Sequence, residues 1–274
     1  MPTMTGTPTT ARKLAKDLAE TLLDRTPLRP RIAMLLGTGH ASIANQLKDR
    51  ISFHAEDLPG CLGFASPMLI GNLEGVPVIL ADSPLSCGES YRENDVTFPI
   101  QLLKALGAET LILTAGAASL RRQIESGAIA VVEDHVNLTG IHPRISDDDH
   151  GPRFPDMSGA YCRDLIALAR ETAIRAGIPC APGILAGISG PSLPTRAEYR
   201  FLRMIGADLV GMTLIPEVIA GVHAGLRILA LVGVTQQVVE GSEAKTSIEE
   251  MLDAADLAAP RMASLLVGIA GSLR

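Results

Sequence analysis

The spacing of apolar residues predicts an alternation of helices and buried strands. Residues 11–25 (ARKLAKDLAETLLDR) place Leu14, Leu18 and Leu22 four apart, the period of a helix with one buried stripe. Residues 26–30 break that helix, and the apolar run RIAMLL at 31–36 reads as a buried strand. A GTG turn and the weakly helical SIANQLKDR follow it. Residues 67–82 read as two strands around a turn at 72–75, and a helix is expected over about 95–106. ETLILTAGAA and GAIAVVEDHVNL are two further apolar strands. The polar stretch at 142–156, with three consecutive Asp and three Pro, reads as a long surface loop. A helix over 158–177 is expected next, with Ser158 as its N-cap and Gly177 as its stop. GILAGISG, ADLVGMTL and RILALVGVT then alternate as strands with helices at 195–205 and 216–224, before a last helix from about 247. This order predicts a single α/β domain over 1–274, with residues 1–10 flexible and a ligand site on loops at strand ends.

Composition narrows the function. The chain has 274 residues, 47% hydrophobic and 20% charged, enough apolar material for a large core. A net charge of -6 argues against nucleic acid as partner, and 3% aromatic residues with no Trp argues against base-stacking or sugar-stacking platforms. Cys61, Cys87, Cys162 and Cys180 lack the spacing of a zinc or redox motif, so no metal site and a reducing, cytoplasmic setting are expected. No signal peptide is read at the N-terminus, and no apolar run suggests a membrane partner. Small-molecule chemistry is the class that remains.

Two turns are candidates for it. Gly37-Thr38-Gly39 follows a buried strand, where glycines let backbone N–H groups approach an anion and Thr38 adds a hydroxyl. It is neither a Walker loop nor a full GxGxxG, and a plain structural turn is the alternative. Gly211-Met212-Thr213 ends a strand just before a helix; Thr213 either faces a cleft or caps that helix. Asp134 and His135 read as fold support, Asp147 to Asp149 and His150 as a solvated loop, and Glu217 and His223 as framework.

The runs RPRIAMLLGTG, VTFPIQLLKALGAETLILTAGAA, GAIAVVEDHVNL, GPRFPDMSGAY, SGPSLPTRAEYRFLRMIGADLVGMTLIPEV and LALVGVT carry more than periodicity. In this order, from about Arg29 to Leu252, they resemble the trimeric purine nucleoside phosphorylases and their methylthioadenosine phosphorylase relatives. The resemblance implies an α/β domain with a distorted mixed sheet flanked by helices, assembled as a homotrimer with sites near subunit boundaries. It implies a pentosyltransferase in which phosphate, as co-substrate, attacks the anomeric carbon of a purine nucleoside. No metal or organic cofactor is implied. By position, Thr38, Gly39 and Thr213 would bind phosphate, Met212 would pack under the ribose, and Phe154 would reach a neighbouring subunit's site. Gly116, Ala117, Leu193 and Gly211 would line the nucleoside pocket, and Gln236 would support the leaving base catalytically.

Departures from the family pattern accompany these matches. Its Arg-x-His pair for phosphate falls at Pro84 and Ser86, leaving Arg92 as the basic residue nearby, and its PGH motif reads Pro59-Gly60-Cys61. The base-recognising Glu falls at Pro194, the Asn at Gln236, the 5'-hydroxyl His near Ile248 and the ribose-wall Tyr near Gly88. Glu240 and Glu243 are the substitutes expected for a base-side carboxylate. The leading expectation is phosphorolysis of a purine nucleoside. The alternative is a homologue that has lost it and acts as a nucleoside hydrolase or a non-catalytic nucleoside-binding protein.

Overall fold

A computed structural model describes residues 8–37, 40–59, 67–82, 94–143, 154–239 and 247–273. Its first half contains α1 (Pro8–Leu23), β1 (Ile32–Leu36), the short α2 (His40–Ala44), β2 (Lys48–Phe53), β3 (Met68–Leu73), β4 (Val76–Asp82), α3 (Asn94–Ala105) and β5 (Thr110–Ser119). Then come β6 (Ile129–Leu138), α4 (Arg163–Ala176), β7 (Cys180–Ile188), α5 (Arg196–Met204), β8 (Leu209–Gly211), α6 (Ile215–His223), β9 (Arg227–Gln237) and α7 (Ile248–Ser272). Helix and strand alternate over most of the chain, as the apolar periods predict.

All nine described strands belong to one mixed sheet, in the order β2-β3-β4-β1-β5-β8-β7-β6-β9. β9 also pairs in parallel with β5, so β5, β8, β7, β6 and β9 close into a ring while β2, β3, β4 and β1 extend from it as an open wing. β1 (IAMLL) is buried at every position, the pattern of a parallel strand covered on both faces. Helices supply that cover: α1 packs on α3, α3 on α6, and α7 on both β9 and α4. α7 is the one described helix long and apolar enough to cross a membrane by length and composition, yet Met262, Leu265, Leu266 and Ile269 bury one face of it in the core.

Four expectations need correction. Residues 48–53 form β2, although 48–50 read as the tail of a helix. β2 is an edge strand with exposed Lys48, Asp49 and Arg50, so it lacks the alternation that marks a strand, and α2 stops at Ala44. Ser158 is not an N-cap: its N–H is held by Asp156 Oδ1 at 2.9 Å in a local turn. α4 starts five residues later, where the N–H of its N-cap Cys162 donates to Ile228 O at 2.9 Å and ties the helix entry to β9. Residues 8–10, expected to be flexible, form the first turn of α1. At the other end of α4, Gly177 adopts φ 64° and its N–H closes on Ala173 and Ile174, as its type predicts.

α7 anchors the closed half of the sheet through side chains with no solvent exposure. Leu265→Ala is therefore expected to destabilise the protein by about 2–5 kcal/mol, read as a lowered urea midpoint with an unchanged slope.

Candidate active site

A cavity of about 310 Å³ opens beside the carboxyl-terminal parts of the parallel strands β5 and β9, where the short β8, antiparallel to β5, ends at Gly211. β5 contributes Gly116 and Ala117, β8 and the turn after it Gly211, Met212 and Thr213, and β9 Thr235 and Gln236. Leu193 and Pro194 close it from the segment before α5, Tyr199 from α5 itself and Met251 from α7. Ends of parallel strands are where α/β sheets generally bind ligands.

A β-bulge shapes the floor. β5 and β9 run in register to Ala117 opposite Val234 and resume with Ala118 opposite Gln236, so Thr235 is the extra residue. Its hydroxyl donates to Ala117 O at 3.3 Å and holds the bulge closed. Neighbouring strand residues point to opposite faces. Gln236 lines the cavity, whereas Gln237 Nε2 lies 3.0–3.2 Å from the carbonyls of Arg121, Arg122 and Ile124 and pins the loop after β5.

The wall formed by β8 is close-packed. A Cβ on Gly211 would stand 3.5 Å from Gly116 O, in ordinary contact with the neighbouring strand. Met212 packs its thioether onto Gly190, which has φ 62° and no room for a side chain. Leu214, directly after Thr213, is the N-cap of α6 and is buried with φ 80° and ψ -50°, a conformation that L-residues rarely adopt. No side chain caps this helix, so the cleft reading of Thr213 stands and the capping one does not. Strain in the backbone thus sits beside the hydroxyl, a pattern associated with functional sites.

α5 is placed by a capping box: Thr195 Oγ1 accepts from the Glu198 N–H at 3.3 Å, and the Thr195 N–H donates to Glu198 Oε2 at 2.6 Å. At its far end Arg203 donates to Val238 O at 2.6 Å, fastening the helix to the end of β9. Tyr199 is thereby held at the cavity, where burial pushes its phenol above the ordinary value, with Arg203 opposing, and keeps it protonated. Tyr199, Thr235 and Met251 had not been singled out. Tyr199 had a signal, as the Tyr of a strongly amphipathic helix, whose hydroxyl needs a polar setting once buried.

Seven of the expected residues therefore meet around one cavity: Gly116, Ala117, Leu193, Gly211, Met212, Thr213 and Gln236. Phe154 lies outside it, with 83% of its surface exposed. Gly37 lines the cavity, but its N–H donates to Thr114 O at 2.9 Å and faces Thr114 Oγ1 at 3.2 Å, so it does not turn toward a ligand. Thr38, Gly39 and Arg92 lie outside the described residues, as do Gly60, Cys61, Pro84, Ser86, Cys87, Gly88, Asp147 to Asp149, His150, Glu240 and Glu243. Among the described lining residues none is charged, and among the described residues no cluster of three His, Cys, Asp or Glu has the arrangement of a metal site.

The remaining ionisable candidates serve the framework. His135 Nδ1 lies 2.8 Å from Tyr161 Oη, with the rings edge to face at 5.6 Å, while Asp134 Oδ1 accepts the His135 N–H. Asn137 accepts from the N–H and hydroxyl of Thr139 and donates to Ile141 O, closing the end of β6. Glu217 and His223 are buried in α6, away from the cavity lining.

The phosphorylase superfamily profile matches residues 31–270. Purine nucleoside phosphorylase 1 of Bacillus subtilis is 39% identical over 212 residues, covering 75% of this chain and 78% of its own. The purine nucleoside phosphorylase of Bos taurus is 33% identical over 90% of both chains. Among solved structures, a schistosoma purine nucleoside phosphorylase in complex with hypoxanthine superposes with a TM-score of 0.89 at 29% identity, covering 96% of this chain and 98% of its own. The Schistosoma mansoni enzyme in complex with adenosine gives a TM-score of 0.88 at the same identity, over the same shares of the two chains. With a profile match over most of its length and relatives of this identity and coverage, the chain belongs to the purine nucleoside phosphorylase family.

One titration follows from the framework around β6. Burial holds the His135 imidazole below its ordinary 6.5, with Asp134 opposing, so the folded state favours the neutral ring. The unfolded chain then binds the proton first as pH falls, and stability present above pH 6.5 is lost below it. Unfolding free energy from urea titrations is expected to decline from pH 7 to pH 5, and His135→Gln is expected to flatten that decline.

Proposed function

We propose that the protein is a purine nucleoside phosphorylase, a pentosyltransferase that cleaves the N-glycosidic bond of a purine nucleoside with phosphate. The observation that carries this reading is the convergence of Met212, Thr213 and Gln236 on one cavity, largely apolar in its described lining, in a chain of this family. In the reaction a phosphate oxygen bonds to the anomeric carbon as the carbon–nitrogen bond breaks, and the bonding pair departs with the base. Charge then builds on the purine, where the Gln236 amide is placed to donate. Thr213 offers its hydroxyl to the attacking phosphate, and Met212 with Gly211 gives the sugar an apolar, closely fitting wall. Thr38, Gly39 and Arg92 complete the proposed phosphate contacts. No metal or organic cofactor takes part.

We assign the chain to a homotrimer. Support comes from Phe154, a large apolar side chain projecting from a chain whose own cavity does not use it, and from exposed Phe201 and Met204 on α5. The cytoplasm is the proposed compartment, in keeping with Cys180 as a free thiol whose pKa burial raises to about 11.

A second reading has its own support. A phosphate dianion is expensive to desolvate without a cation, and none of the described lining residues supplies one. Water would then replace phosphate as nucleophile.

Incubation with adenosine and inosine, with and without phosphate, separates the two. Phosphate-dependent release of base and ribose 1-phosphate is expected, and release that ignores phosphate supports hydrolysis. Thr213→Val is expected to lower kcat/KM for phosphate about 10- to 100-fold, the scale of losing one hydrogen bond to a charged group. Light scattering should return three times the 28.8 kDa chain mass, with Phe154→Ala lowering activity while leaving thermal stability near that of the parent.

A further inference from the structure

The turn from β8 into α6 places a leucine where its backbone is least at ease, Leu214 at φ 80° and ψ -50°. The residues on either side of it explain why that conformation persists. Gly211 pairs with Gly187 at the end of β7, and the chain beyond Gly211 is pinned to that end twice. Met212 lays its thioether where a side chain on Gly190 would otherwise stand, and Ile215 puts its Cδ1 where one on Gly187 would stand. Ile215 has no solvent exposure, and Leu214 keeps 1% of its own.

Only Thr213 and Leu214 separate these two anchors. Just beyond them, the Leu214 carbonyl accepts the Val218 N–H at 2.9 Å, and Pro216 fixes its own φ in the first turn of α6. The turn therefore has no slack, and its strain falls on Leu214. A glycine would accept this dihedral more easily, yet the chain carries a buried leucine there.

Thr213 is the residue whose direction this arrangement sets. It lines the cavity one position before the strained residue. A relaxed turn would let its backbone sample several directions and spread the hydroxyl over them, and a misplacement of about 1 Å can lower a rate on the order of 100-fold.

We infer that Leu214 is a positioning residue: its strained backbone, held between the Met212 and Ile215 anchors, fixes the direction of the Thr213 hydroxyl. The inference rests on the phosphorolytic reading of this cavity, in which that hydroxyl meets phosphate, and adds what keeps it in place.

Leu214→Ala and Leu214→Gly separate strain from burial, because both remove the leucine side chain and only L214G relieves the dihedral. The test is the kinetics of both variants of the full chain with phosphate varied, at saturation with whichever of adenosine and inosine is cleaved faster, beside urea titrations. L214G is expected to have the higher urea midpoint, the reverse of the order at an ordinary backbone position. Its kcat/KM for phosphate is expected to lie about tenfold below that of L214A, while the two share one KM for the nucleoside. Loss of structure cannot produce a more stable protein that uses phosphate less well. Equal kcat/KM for phosphate in the two variants, or a higher midpoint for L214A, overturns the inference and leaves phosphorolysis standing. If neither variant folds, Pro216→Ala frees the same turn from its other end: a several-fold lower kcat/KM for phosphate at constant nucleoside KM upholds the inference, and an unaltered value overturns it. Base release by the parent that ignores phosphate overturns phosphorolysis instead. The nucleoside kinetics then decide, with L214G below L214A in kcat/KM upholding the positioning role and equality overturning it. No cleavage with or without phosphate overturns both.

Discussion

The pairing of β5 with β9 is the constraint on which the rest of the structure depends. Without it the nine strands would form an open sheet; with it, five of them close into a ring whose rim holds the cavity. The same pairing carries the bulge at Thr235, so one backbone feature both completes the core and sets the side chains that face a ligand. Burial of β9 from Ile228 to Val234 secures the pair, and α7 seals it from outside. The site is in this sense a by-product of core closure: its walls are the last turns of strands already held in place by apolar packing.

Around that rim the described lining is neutral. Glycine, alanine and methionine give shape, while two hydroxyls, one phenol and one amide give direction. These described groups offer a ligand hydrogen-bond edges and a close fit. Neutral walls also leave any anion held there dependent on cations brought by neighbouring segments. The strained Leu214 and the side-chain-free Gly190 belong to the same arrangement: one turns the chain into α6 directly after Thr213, and the other leaves room for the Met212 thioether.

Much of the fold was legible in the chain. β1, β3, β4 and α3 follow from apolar runs and turn residues, and Gly177 ends α4 where its type says it should. β2 was not legible because an edge strand needs no hydrophobic alternation, and Ser158 misled because a nearby Asp competes for its N–H. The site divides in the same way. Gly211 to Thr213 and Gln236 were marked by motif resemblance, and the structure brings them to one cavity. Tyr199 and Met251 reach it from helices folded in from elsewhere, a placement that no local pattern encodes, and the bulge that defines Thr235 is a matter of strand register, invisible in one strand alone.

That bulge gives the two consecutive glutamines of β9 an unusual evolutionary situation. Gln236 faces the ligand space and Gln237 clamps the loop at 121–124, and they differ only in which side of the strand they occupy. A one-residue insertion or deletion confined to the strand end after Val234, which leaves the register of the buried stretch 228–234 intact, would therefore not destroy both tasks. In one direction an amide would still enter the cavity while Val238 took the clamp's place; in the other the clamp would survive and Thr235 would replace the amide. Insertions or deletions near this strand end can thus trade loop order against ligand contact one at a time, which offers a sequence lineage a stepwise route between differently shaped sites on an unchanged core.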